Sequence, residues 1–151
     1  MSRPRKKAGV PETRERILDA AEAAFGEGGY RETSLKSIAA AVGIRAPSLL
    51  YHFDSKEALL EAVVRRFYAQ LEAKLMGALS CELPADSRFA RALSVWLEVE
   101  REHPELLALM VSQLVAGDAL KPELILELAE PLFARVEQEL GRTLSPPIPE
   151  G

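Results

Sequence analysis

A chain of 151 residues with 48% hydrophobic and 28% charged residues, and no G-X-Y period, reads as a folded globular protein rather than a disordered or collagen-like one. Its longest uncharged apolar stretch, Leu106 to Gly117, falls short of the roughly 20 residues of a membrane span, and no apolar run follows the basic N-terminus as in a secretion signal. The formal charge of −4 is uneven, with +3 on residues 1–56 and −7 on residues 57–151, so a basic front precedes an acidic back.

These features predict a soluble, cytoplasmic protein of one or two small domains with no membrane partner. Only the front is expected to meet a polyanion; Arg3, Arg5, Lys6 and Lys7 come there without any acid, although a solvated tail would carry the same charges. Cys81 is the single cysteine, which excludes an intrachain disulfide and argues against a cysteine-based zinc site.

Residues 1–10 are expected to form a basic, flexible tail. A first helix follows over about Pro11 to Glu27, with Ile17, Ala21, Ala24 and Phe25 in one apolar stripe and Gly28-Gly29 as its stop. Thr33 or Ser34 caps a second helix, about Leu35 to Ala41, that faces inward through Leu35, Ile38, Ala39 and Val42. Gly43 supplies a sharp turn, and a third short helix runs from about Ala46 to Phe53. A long fourth helix starts at the Asp54-Ser55 cap, carries Leu60, Val64, Phe67, Leu71 and Leu75, and ends near Ser80.

Three later helices complete the pattern. Asp86 or Ser87 caps one with Phe89, Leu93, Trp96 and Leu97 on its inner face, ending at about Glu102. Pro104 opens the next, with Leu107, Met110, Val111 and Leu114 inward, and Pro122 opens the last, with Leu124, Leu128, Leu132, Val136 and Leu140 in register. Pro131 should kink or split that last helix. Residues 143–151, rich in proline, are expected to be disordered. No strand signal and no internal repeat is evident, so the fold class is all-α.

Two short helices that cross steeply around a tight turn need a small residue at their contact and a residue tolerant of positive φ at the turn. Ala39 and Gly43 meet those needs, and Ile38, Val42, Ile44 and Leu49 fill the wedge. This is helix-turn-helix patterning over 34–53, in which the second short helix is offered to the DNA major groove, although a plain helical corner shares it. Catalytic patterns are absent. The run Tyr51-His52-Phe53-Asp54-Ser55 is too tight for its Ser, His and Asp to converge, no glycine-rich phosphate loop occurs, and two histidines make a poor metal site. The expectation is therefore no enzyme, cofactor or metal.

Thr33-Ser34-Leu35, Ile38-Ala39, Val42-Gly43-Ile44, Ser48-Leu49, Phe53, Ser55-Lys56-Glu57 and Leu59 together resemble the tetracycline-repressor (TetR) family of bacterial transcription regulators, as do Arg14, Ile17, Ala20-Ala21, Phe25 and Gly29-Tyr30 before them. The likeness is close over about residues 11–70; beyond it only the helical layout is shared. It implies a three-helix DNA-binding domain over 11–56 and a helical regulatory bundle over 57–142 that lacks the family's last two helices. It implies that Ser48 contacts a phosphate or base edge, that His52 touches the backbone, that Lys56 grips phosphate at a helix N-terminus, and that Thr33 and Ser34 meet the opposite strand. Lys36 and Ala46 join the same expected interface. In two places the chain departs from the family. Leu50 stands where an aromatic is usual and the tyrosine is Tyr51, while Arg45 replaces the usual Ser/Thr cap, which suits it to a guanine or phosphate contact. Tyr51 packed on the first helix and Arg45 solvated at the turn are the plainer readings.

The expected function is a sequence-specific DNA-binding regulator, a repressor controlled by a small apolar ligand. Phe89, Leu93, Trp96, Met110 and Phe133 are the candidate ligand lining, the alternative being that they are simply core. His103 before Pro104 reads as a helix-start residue. Partners expected from the resemblance are operator DNA and a second copy of the chain; the 48% hydrophobic content favours pairing through the last two helices, the alternative being a chain that aggregates or stays monomeric. The competing class is a helical interaction module that pairs with another regulator without productive DNA binding.

Overall fold

The computed structural model describes residues 12–80, 84–117 and 119–144. The basic tail, Pro11, Cys81 and residues 145–151 lie outside the described residues. The described chain forms helices α1 (Thr13–Gly28), α2 (Leu35–Val42), α3 (Ala46–His52), α4 (Lys56–Leu79), α5 (Ala85–Glu102), α6 (Pro104–Ala116) and α7 (Pro122–Leu144), with no strand. None of these helices is long and apolar enough to cross a membrane.

Helix α1 is the platform. Ile17, Leu18, Ala21 and Phe25 are fully buried, and α2, α4 and α6 all pack on it. Its stop at Gly29, at φ 76°, turns the chain back towards α2. Helix α4, about 36 Å long at 1.5 Å per residue, is capped by Ser55, whose hydroxyl accepts the Ala58 N–H. Its N-terminal half serves α1, and along its length α5 and α7 pack as a second layer. Leu59, Leu60, Val63 and Val64 are buried as adjacent pairs because this part of the helix is covered on more than one side.

The later helices differ from the sequence expectation. Neither Asp86 nor Ser87 caps α5; both lie inside it, and Pro84 is its first flanking residue. The face of α5 that turns inward is Val95 and Val99, whereas Phe89, Leu93, Trp96 and Leu97 are about half exposed. On α6 the buried set is Leu106, Leu109, Met110 and Gln113, with Val111 outward. The cause is that α5 and α6 carry apolar residues on two faces. Helical spacing fits either face, and docking on α4 and α1 selects between them, on α5 the smaller, flatter Val95/Val99 face.

Helix α7 is continuous through Pro131, so the expected split does not occur. Pro131 is exposed, and the helix loses one internal hydrogen bond while Leu124 and Leu132 remain buried on either side. Surface ion pairs Arg65–Glu127 (3.0 Å) and Arg135–Glu72 lie along the α4–α7 contact, and Lys74–Glu102 lies between α4 and α5. The helix also runs on to Leu144, two residues into the segment expected to be disordered.

Two glycine substitutions separate backbone strain from packing. A Cβ at Gly43 or at Gly77 would meet nothing within 4 Å, but only Gly43 has positive φ, at 77°. Gly43→Ala is expected to lower unfolding free energy by roughly 1–2 kcal/mol, and Gly77→Ala, inside α4, to raise it by up to about 1 kcal/mol. Urea unfolding of both variants checks this.

Candidate nucleic-acid interface

The helix-turn-helix is built from local hydrogen bonds that the sequence encodes closely. Ser34 is the N-cap of α2: its hydroxyl accepts the Ser37 N–H at 3.0 Å, and the Ser37 hydroxyl in turn accepts the Ser34 N–H at 3.2 Å, a reciprocal capping box. At the other end the Ile44 N–H donates to the Ala39 carbonyl and the Gly43 N–H to Ala40, which closes α2 in a Schellman turn with Gly43 left-handed. Ile38, Ala39, Val42 and Leu49 then bury together as the wedge, with Ile44 partly covered.

A contact that sequence reading missed fixes this unit on α1. The Arg16 guanidinium donates to the Val42 carbonyl at 2.6 Å, taking up a backbone acceptor at the α2 terminus. Arg14 lies over the Phe53 ring at 5.0 Å. Neither pairing leaves a periodic signal, because each depends on how α1 crosses the hairpin.

Helix α3 has two distinct sides. Leu49 and the following Phe53 are buried, while Arg45, Ser48 and Tyr51, three residues apart, are exposed in one row. Tyr51 is 88% exposed and meets only the edge of the His52 ring, at 5.5 Å between centroids, so it does not pack on α1. Arg45 provides no side-chain cap, and its guanidinium has no ion-pair partner among the described residues. Ala46 and His52 are half-buried at the edges of the row, and Ser34 and Lys36 are exposed on α2.

Lys56 begins α4 and is held rather than free. Its ammonium lies 4.3 Å from the Tyr30 ring centre and donates to the Arg31 carbonyl at 3.3 Å. The Tyr30 hydroxyl donates to Glu57 at 2.9 Å. The Glu57 carboxyl sits below the usual carboxylate range, chiefly because its own backbone N–H donates to it, with the Tyr30 hydroxyl second.

Thr33 departs from the expected role. It is buried, and its hydroxyl is shared between the carbonyls of Ala24, at 2.9 Å, and Gly29, at 2.8 Å. The side chain therefore closes the end of α1 and cannot also reach a nucleic acid. Of the two candidate caps, Ser34 took the N-cap and Thr33 turned inward.

The candidate ligand residues do not converge. Phe89, Leu93, Trp96 and Phe133 stand outward and only Met110 is buried. The larger described cleft, about 470 Å³, lies instead between α1 and the α5–α6 corner, lined by Asp19, Glu22, Gly26, Arg66, Gln70 and His103 among others, and is polar. None of the five lines it or the smaller cleft beside Phe67 and Leu71. Within the larger cleft, Arg66 of α4 pairs with Asp19 at 2.6 Å, Glu22 at 2.7 Å and Glu15 at 3.5 Å on α1. Burial pulls its pKa down, but the hydrogen bonds to Glu22 and Asp19 outweigh that and leave it raised. His103 flanks both α5 and α6, as its place before Pro104 suggests.

The inward role of Thr33 has a direct test. Thr33→Val is expected to cost roughly 1–3 kcal/mol of stability by leaving buried carbonyls without their donor, and Ser34→Ala about 1 kcal/mol for the lost cap. Urea midpoints measure both. A Thr33→Val chain as stable as wild type would return Thr33 to the exposed interface.

Comparison with known proteins agrees with this architecture. Residues 17–63 match the family model for bacterial regulatory proteins, tetR family. The chain is 32% identical over 123 residues to the transcriptional regulator RutR of Escherichia coli K12, covering 82% of this chain but 56% of RutR. It is 43% identical over 61 residues to the transcriptional repressor KstR2 of Rhodococcus jostii, 40% of this chain and 30% of that protein. The chain thus spans at most about half the length of these curated relatives. Among solved structures, the TetR family regulator PfmR of Thermus thermophilus superposes with a TM-score of 0.65 at 29% identity, over 85% of this chain and 68% of PfmR. With its helix-turn-helix and helical bundle in the same order as in these regulators, the chain carries over residues 17–63 the DNA-binding domain of the tetR family of bacterial regulatory proteins.

Proposed function

We propose that this chain is a sequence-specific DNA-binding transcription regulator that reads duplex DNA with the outer face of α3. The observation that carries the reading is the row Arg45, Ser48 and Tyr51. These side chains are exposed on a helix that is seated in the core through Leu49 and, just beyond its end, Phe53. An arginine, a hydroxyl and an aromatic at this spacing match what a base edge or phosphate offers in the major groove. Lys56 at the start of α4, Lys36 and Ser34 serve as backbone contacts around that row.

One relative, KstR2, is named a repressor, which favours repression as the sign of regulation. Two half-sites lie about 34–36 Å apart on one face of DNA, so this reading includes a homodimer. Val111 and Val115 on α6, with Leu126 and Phe133 on α7, are exposed apolar residues suited to such pairing. The same residues favour the second reading, a module that pairs with another regulator without productive DNA binding. An apolar effector is not part of the proposal, since its expected lining faces outward.

Selection of duplexes from a random pool, followed by titration at several salt concentrations, tests the reading. Lys56→Ala is expected to weaken binding on all sequences and to reduce the slope of log K against log salt by about 0.9. Arg45→Ala and Ser48→Ala should change which bases are preferred, by roughly 1–3 kcal/mol for a lost bidentate contact. Unchanged preference in both variants would remove α3 as the reading helix. A wild-type chain that enriches no duplex would favour the interaction module.

A further inference from the structure

Lysine is a poor choice for the first turn of a helix, where the positive end of the helix dipole repels it. Lys56 nevertheless opens α4, and the groups that hold it come from the connector between α1 and α2. Gly29, at φ 76°, ends α1 and turns the chain so that the Tyr30 ring meets buried Phe25, 5.6 Å between centroids. The other side of the problem is solved by the same ring: the Lys56 ammonium lies 4.3 Å from its centre, and the Arg31 carbonyl accepts from that ammonium at 3.3 Å. The Tyr30 hydroxyl donates to Glu57 at 2.9 Å, which ties the ring to the helix that carries the lysine. The cap of α4 is made without the lysine, since Ser55 accepts the Ala58 N–H.

We propose that Tyr30 is a positioning residue for DNA contact, holding the Lys56 ammonium in place before a phosphate arrives. The proposal rests on the DNA-binding reading above. A free lysine side chain is among the most mobile, and ordering it on binding lowers affinity. On the Tyr30 ring that ordering is already made when the chain folds. Arg31 takes only one of the ammonium's N–H donors and the ring attracts it from one side, so a phosphate oxygen still has a donor to meet. The Glu57 carboxylate, accepting from the hydroxyl, makes the ring richer in electrons and a better seat for a cation. Lys36, the other lysine of the reading, is exposed on α2 and has no ring contact among the described residues. The two lysines therefore differ in how far each is ordered before DNA is met.

The test measures the affinity of the full chain, by fluorescence anisotropy at several salt concentrations, for duplexes that the wild type selects from a random pool. Tyr30→Leu should weaken binding about two- to tenfold, on selected and unselected duplex alike. The slope of log K against log salt should stay as in the wild type, because the lysine still reaches its phosphate. In a Lys56→Ala chain, Tyr30→Leu should weaken binding no further, whereas in a Lys36→Ala chain its full effect should persist. Tyr30→Phe, which keeps the ring, should lose less than Tyr30→Leu. An equal loss in the Lys56→Ala chain means that Tyr30 acts through the fold alone and overturns the positioning role, as does wild-type affinity in Tyr30→Leu. If Tyr30→Leu does not fold, proton NMR of the wild-type chain decides. The Lys56 ε-methylene signals should lie upfield of those of the other lysines, shifted by the facing ring, and stay there when duplex is added. Signals unshifted in the free chain, or moved downfield by duplex, show an ammonium that the ring does not hold for DNA and overturn the role. If the wild type selects no duplex, the DNA reading itself fails and the positioning role falls with it; a selected duplex without coupling between positions 30 and 56 overturns the role alone.

Discussion

Helix α1 buries Ile17, Leu18, Ala21 and Phe25 at essentially zero exposure while α2, α4 and α6 all lean on it, and the remaining structure takes its geometry from that enclosure. Ile17, Leu18 and Phe25 each contribute roughly 1.5–3 kcal/mol when fully buried, so withdrawing α1 from the core is costly. Its polar residues then divide the work. Arg16 holds the end of α2, Arg14 covers Phe53, and Glu22 faces α4 and the α5–α6 corner at once. A helix that is apolar towards three partners and charged along the seams between them is both a core element and a bracket.

That arrangement explains why the exposed face of α3 needs no support of its own. Leu49 and Phe53 seat the helix in the wedge, the Schellman turn at Gly43 fixes its angle to α2, and Arg16 ties that turn to α1. The side chains on the outer row are then free to meet a partner, because none of them completes the core. Rigid backing behind adaptable contacts is what direct base readout requires.

The first four helices were legible because their signals are local. A glycine where φ turns positive and apolar residues at single-face spacing each have one structural answer. The later helices were not, since α5 offers Phe89/Leu93/Trp96 and Val95/Val99 as rival inner faces and periodicity ranks them by bulk rather than by neighbour. The same ambiguity placed the ligand lining on the outside of the bundle. Thr33 was misread for a related reason: two hydroxyls in succession can both cap, and only the position of α1 shows which one turns inward. The Arg66 cluster and the Arg16 bond to Val42 join residues far apart in sequence, and nothing in a single chain's pattern marks such pairs.

The central claim is that the outer face of α3, held by α1, meets duplex DNA. Placing a photo-crosslinking benzophenone residue at position 51, and in a separate chain at position 133 of α7, tests it most directly. With duplex selected by the wild-type chain, irradiation should link position 51 to the DNA and leave position 133 unlinked. Crosslinking at 133, or none at 51 under saturating duplex, would contradict the account.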